Sequence, residues 1–192
     1  MRKPLAWLLL CALAFAIPAL GEAAPAGGRY GTQTIMVYMI GSDLESGGGL
    51  ATSDISEMLR SRPDASRVNV VVMTGGSQKW MTPRISAGGI GVYHIQGRSP
   101  AELRVSESAS MGEASTLSGF LEYAVGAFPA DSYGLILWDH AGGPMVGFGM
   151  DTLYRNDALT MPELRQALRA SPFGEGGLRL EWVAFDACLM GS

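Results

Sequence analysis

Cysteine is nearly absent from this chain of 192 residues: there are two, Cys11 and Cys188. Charge is scarce as well, with 17% Asp, Glu, Lys and Arg against 47% hydrophobic residues. That balance excludes a disordered chain, and the length suffices for one ordinary domain with a real core. The formal net charge of −4 supplies no electrostatic footprint for nucleic acid, while leaving cationic substrates open. Long apolar sequence is missing too: the N-terminal run Leu5 to Ile17 is too short to span a bilayer comfortably. The triple glycine Gly47-Gly48-Gly49 lacks the Gly-Lys-Ser/Thr ending of a phosphate loop and reads as a flexible loop. His94, in Tyr93-His94-Ile95, has no Cys or acid at ligand spacing, so the core or the surface claims it before a metal does. No metal site is expected.

What is present begins with an address. Arg2 and Lys3 give a positive start, the apolar run follows, Pro18 breaks it, and Gly21-Glu22-Ala23-Ala24-Pro25-Ala26 supplies small residues. Residues 1–26 read as a cleavable secretory signal, with an uncleaved anchor as the alternative, and 27–33 as a linker. Cys11 leaves with the signal. The mature chain then holds one thiol, Cys188, which has no intramolecular disulfide partner and is either functional or paired between chains.

From residue 34 onward, strand and helix patterns alternate. Thr34 to Ile40 is a near-continuous apolar run, the mark of a strand buried on both faces. A loop over Gly41 to Gly49 and a helix up to Pro63 follow, then a strand over Val68 to Met73. Trp80 to Ile85 and Gly91 to Ile95, around Ala87-Gly88-Gly89, suggest an antiparallel excursion. A helix is expected from Ser115 to Phe128, a long loop from Ala141 to Ala158, and a helix opened by Thr160 and Glu163 at capping-box spacing. The alternation predicts a doubly wound α/β layer structure.

Two buried strands then end in reactive side chains. One is Leu135-Ile136-Leu137-Trp138-Asp139-His140 and the other Leu180 to Cys188. Sites in open parallel sheets form at the carboxyl ends of strands. One crossover helix fills the interval between the two, so the strands can be neighbours, about 5 Å apart. A free thiol has a pKa of about 8.5; an adjacent imidazole raises its thiolate fraction and later protonates a leaving amine. Backbone N–H groups after His140 and at Cys188 are available to an oxyanion, and Gly142-Gly143 permit close approach. The bland reading stays open at this point: a Cys at a strand end serves as a small core residue, and a lone His as a surface or capping group.

Trp138-Asp139-His140 with its glycines, and Phe185-Asp186-Ala187-Cys188-Leu189-Met190-Gly191, resemble the two catalytic motifs of the clostripain family of cysteine peptidases. Val37-Tyr38-Met39 with Asp43-Leu44-Glu45, and Met111-Gly112-Glu113 with Thr116-Leu117, are similar to further parts of that family. The resemblance covers residues 34–192. It implies a caspase-like three-layer α/β sandwich with a mostly parallel sheet, incomplete at the C-terminus, in the clan of caspases, gingipains and legumain. It implies an endopeptidase cutting after Arg or Lys, with His140 as base and Cys188 as nucleophile. The N–H groups of Ala141 and Cys188 would form the oxyanion hole, and Asp186 would lie near the pocket for a cationic side chain. A helix cap or loop hydrogen bond is the structural alternative for Asp186. Asp139 points away from His140 by strand alternation and is not a third catalytic member. Self-cleavage would fall at Arg155, in the loop between the two motifs. Calcium dependence is possible by the same resemblance, although Asp151 and Asp157 alone make no calcium site.

The chain departs from the family in two ways. Ala141 stands where the family usually has Gly, and family members continue well beyond the Cys. The expected partners are therefore an Arg- or Lys-containing peptide or protein and a missing C-terminal segment of the same protein. Two other readings remain: an inactive fragment or pseudoenzyme of this fold, and an exported α/β binding protein with an incidental thiol. The 192-residue chain alone is expected to be weakly active or inactive.

Overall fold

A computed structural model describes residues 31–106 and 109–191. The expected signal segment and residues 27–30 of the linker lie outside the described residues. Of the remaining linker, Gln33 already belongs to the first strand, and Thr32 donates its backbone N–H and its hydroxyl to Asp131 at 2.6 and 2.9 Å.

Among the described residues, eight strands and five helices follow one another. The first strand, β1 (Gln33–Ile40), is the apolar run. It leads into α1 (Ser42–Gly48), α2 (Leu50–Ser61) and β2 (Val68–Gly75). A hairpin of β3 (Ile90–Gln96) and β4 (Ser99–Ser106) precedes α3 (Ala114–Ala127) and β5 (Ser132–Trp138). Next come the single turn α4 (Gly143–Val146), a small hairpin of β6 (Phe148–Asp151) and β7 (Asp157–Leu159), α5 (Met161–Ala170) and β8 (Trp182–Asp186). The main sheet has the order β4-β3-β2-β1-β5-β8. Strands β2, β1, β5 and β8 run parallel, and the β3–β4 hairpin adds an antiparallel edge.

Period-two alternation along β1 divides the core. Met36, Tyr38 and Ile40 point to one face, where Leu117, Phe120 and Leu121 of α3 and Leu164 and Ala167 of α5 cover them. Val37 and Met39 point to the other, under Ala51 and Ile55 of α2. Both faces of β1 and β5 are thus covered by helices, as a parallel sheet requires. The Thr160 capping box forms in full, with Thr160 Oγ1 accepting the Glu163 N–H and the Glu163 carboxylate accepting from Thr160.

Four local expectations change. Gly41 to Gly49 is a helical turn, broken from α2 only at Gly49, whose φ of +64° is a left-handed stop. Trp80 to Ile85 is not a strand; buried Trp80 and Ile85 instead plug the α2 side of the core. The partner of β3 is β4, reached through Gly97-Arg98; a solvent-facing edge strand containing Pro100 shows no apolar alternation to read. The stretch after His140 is structured, with the β6–β7 hairpin tied to the sheet by Thr152, which donates its N–H to the Gly76 carbonyl at 3.0 Å. His94 is buried against Phe128 at 4.7 Å between ring centroids, and burial lowers its pKa.

Candidate active site

The site is assembled at the carboxyl ends of β1, β5 and β8. Strand β5 pairs with β8 in strict register from Gly134 opposite Trp182 to Trp138 opposite Asp186. Gly134 is required there, because the Trp182 ring lies over it where a Cβ would stand. His140 and Cys188 each follow the last of these pairs by two residues, so the expected neighbouring strands do carry both to the same edge.

His140 leaves a buried strand and stays anchored on its backbone. Its carbonyl accepts the Gly149 N–H at 2.9 Å, and Gly142 donates to the Gly147 carbonyl at 3.0 Å. These two bonds flank the Ala141–Phe148 bridge, a pairing that leaves the Ala141 N–H unused. Ala141 is absent from the non-glycine residues with positive φ, so its place does not demand the glycine usual in the family.

Asp139 turns away from His140, as alternation requires, and is buried. Its carboxylate accepts the Ser42 hydroxyl and the Met150 N–H, both at 2.6 Å. Burial raises its pKa to about 6, against the pull of these hydrogen bonds. The Asp43 carboxylate meets His140 Nε2 at 2.9 Å, with 65% and 39% of the two side chains exposed. That hydrogen bond is the first cause holding Asp43 below the ordinary carboxylate range.

The thiol side differs from the expected buried strand. Strand β8 stops at Asp186; Val183, Ala184 and Asp186 are exposed, and Cys188 lies in a turn as a free, exposed thiol. Leu189 follows in the left-handed region at φ +59°. Gly143, at φ +73°, comes close to this turn: a Cβ there would stand 3.3 Å from the Leu189 carbonyl oxygen. The loops after His140 and Cys188 therefore touch. Asp186 closes the β8 pairing, its carbonyl accepting the Asp139 N–H at 3.3 Å, and its carboxylate has no hydrogen-bond or ion-pair partner among the described residues.

Arg155 is apart from this cluster, at the tip of the β6–β7 hairpin. It and Asn156 have φ of 58° and 60°, and Asp157 donates to the Tyr154 carbonyl at 3.1 Å, the pattern of a tight hairpin turn. The two acids of that hairpin are occupied. Asp151 accepts the Met111 and Leu153 N–H groups, and Asp157 accepts the Ser110 hydroxyl. Among the described residues there is no group of three His, Cys, Asp or Glu that could hold a metal ion.

Sequence reasoning marked Asp43 only as part of a resemblance and missed its hydrogen bond to His140. The available signal was an acid just past a strand end, but its use depended on knowing that β1 and β5 are neighbours.

Among the described residues no helix is long and apolar enough to cross a membrane. Among curated proteins, none matches the chain. The fold is similar to that of a secreted C11 cysteine protease from Bacteroides thetaiotaomicron solved with an irreversible peptide inhibitor, at TM-score 0.64 and 20% identity. It is also similar to iotapain, a secreted C11 cysteine protease from the same organism, at 0.62 and 17%, and to an inactive zymogen C11 protease from Parabacteroides distasonis, at 0.55 and 19%. Each alignment covers 85% of this chain but only 44%, 47% and 44% of the respective relative. The chain thus spans less than half the length of the solved relatives it resembles. The model of the clostripain family matches residues 37–192, and the chain belongs to that family.

Proposed function

We propose that this chain carries the nucleophile and the base of an exported cysteine endopeptidase that cleaves after Arg or Lys. The observation that supports the reading is the β5–β8 register, with His140 and Cys188 at equivalent positions just past two neighbouring parallel strands. Cys188 Sγ gives its proton to His140 and attacks the substrate carbonyl carbon. The resulting oxyanion takes hydrogen bonds from the N–H groups of Ala141 and Cys188. His140 protonates the leaving amine, and water then cleaves the thioester to release the acid and restore the thiol. Asp186, with an unengaged carboxylate at the same edge, pairs with the cationic side chain before the scissile bond. Residues 1–26 act as the secretory signal.

Arg155 is the proposed self-processing site. Its exposed hairpin tip must open into an extended strand to enter a peptidase cleft, so processing is slower than cleavage of an unfolded Arg peptide. If full-length Arg155→Ala matures normally, that assignment fails. The further segment proposed as partner covers the open face of β8, where Val183 is 43% exposed, and completes the pocket wall. Without it, residues 1–192 cleave weakly or not at all. The test is cleavage of a peptide library by the full-length protein: cuts follow Arg and Lys, and Cys188→Ala removes them. Arg-independent cleavage, or cleavage by the Cys188→Ala protein, overturns the reading.

A further inference from the structure

Two adjacent residues after β1 are joined to two adjacent residues after β5. Ser42 donates to Asp139 at 2.6 Å, and Asp43 meets His140 Nε2 at 2.9 Å. From this double link we propose that Asp43 is a positioning residue of the peptidase, holding the His140 ring by Nε2 so that Nδ1 is the nitrogen that serves Cys188. The proposal rests on the His140–Cys188 reading above.

Exposed ion pairs contribute little when both side chains must be ordered to meet. Here the ordering is done by buried contacts on either side of Asp43. Ser42 is fully buried and in the left-handed region at φ 46°; its carbonyl accepts the Ser77 hydroxyl at 2.7 Å while its own hydroxyl binds Asp139. Glu45 is also fully buried and accepts the Thr52 N–H and hydroxyl at 2.8 and 2.5 Å and the Met81 N–H at 2.6 Å. With Ser42 before it and Glu45 two residues after it pinned, the Asp43 carboxylate is presented to the ring at small entropic cost.

The protonation logic follows. Asp43 is held below the ordinary carboxylate range, so at neutral pH it is ionised and only accepts hydrogen bonds. Nε2 must then carry the hydrogen, which leaves the lone pair of a neutral imidazole on Nδ1. A base for a thiol needs that lone pair on the nitrogen facing the sulfur. Asp43 therefore selects the tautomer and the ring orientation together, without touching substrate.

The test compares parent, Asp43→Ala, Asp43→Asn and Cys188→Ala in the full-length protein, on a peptide that the parent cleaves. Asp43→Ala is expected to lower kcat by about tenfold or more, less than the 10²–10⁴ that a general base itself supplies, with KM little changed. Asparagine keeps an oxygen that accepts from Nε2, so Asp43→Asn recovers most of the rate. Because Asp43 is mostly exposed, the melting temperature stays near that of the parent in both variants. Parental kcat in Asp43→Ala overturns the proposal, as does a loss shared by KM and stability, which marks a structural role only. An asparagine variant as slow as alanine overturns orientation by this hydrogen bond. Cleavage by Cys188→Ala overturns the dyad itself, an outcome distinct from the failure of Asp43.

Discussion

His140 and Cys188 end neighbouring strands, yet their surroundings are opposite. The His140 segment leaves a strand buried on both faces and is tied down by Asp139, by the Ala141–Phe148 bridge and by Asp43. Cys188 follows a strand whose outer face is open, in an exposed turn held by the β5 pairing and by contact with Gly143. An aromatic contact also joins the two halves: Phe148, fully buried after the His140 loop, meets Phe185 of β8 edge-on at 6.1 Å between ring centroids. The difference shows that His140, the proposed base, is held by the part of the sheet built around β1, whereas Cys188, the proposed nucleophile, sits beside the open face of β8.

The largest test of this asymmetry removes each half in turn. His140→Ala lowers kcat/KM of the full-length enzyme by about 10²–10⁴, and Cys188→Ala lowers it further, to the level of the blank. The comparison breaks if either variant keeps parental rates. Phe148→Ala removes this aromatic link between the halves and leaves a cavity. It costs about 3–5 kcal/mol by denaturant titration and slows cleavage in the fraction that folds.

Much of this fold was legible in the sequence, because burial on both faces leaves near-continuous apolar runs. That is how β1, β2 and β5 could be read, and the Thr160–Glu163 spacing marked α5. β4 was not legible, since an edge strand facing solvent needs no alternation. Nor was the helical nature of α1, whose conformation is fixed by tertiary bonds to Asp139, Ser77 and Met81 rather than by propensity. The same bonds explain why His140 and Cys188 were readable while Asp43 was not. The first two stand at strand ends in the sequence itself, whereas Asp43 meets His140 only through the β1–β5 adjacency.

A smaller effect sharpens the account of the His140 side. Asp139 in the native state binds its proton more tightly than the unfolded chain, with a pKa of about 6 against an ordinary 3.8. Its contribution to stability is therefore complete below about pH 4 and is lost as pH rises through 6. Asp139→Asn removes that titration, so the stability difference between parent and variant changes by about 3 kcal/mol across this window. Urea midpoints at pH 4, 5, 6 and 7 measure it; parallel curves for the two proteins contradict the assignment. Smallest is Thr160→Ala, which opens the capping box of the helix leading to β8 and costs about 1 kcal/mol. Hydrogen exchange is expected to quicken in α5 before β5, and uniform quickening would remove the distinction between the two halves.

The most direct measurement is the rate at which iodoacetamide labels Cys188 in the full-length protein at neutral pH, followed by mass spectrometry alongside peptide cleavage. A working pair predicts that labelling of Cys188 and loss of activity proceed together, and that His140→Ala slows the labelling. Labelling indifferent to His140, or cleavage that survives complete labelling of Cys188, would contradict the pairing of base and nucleophile.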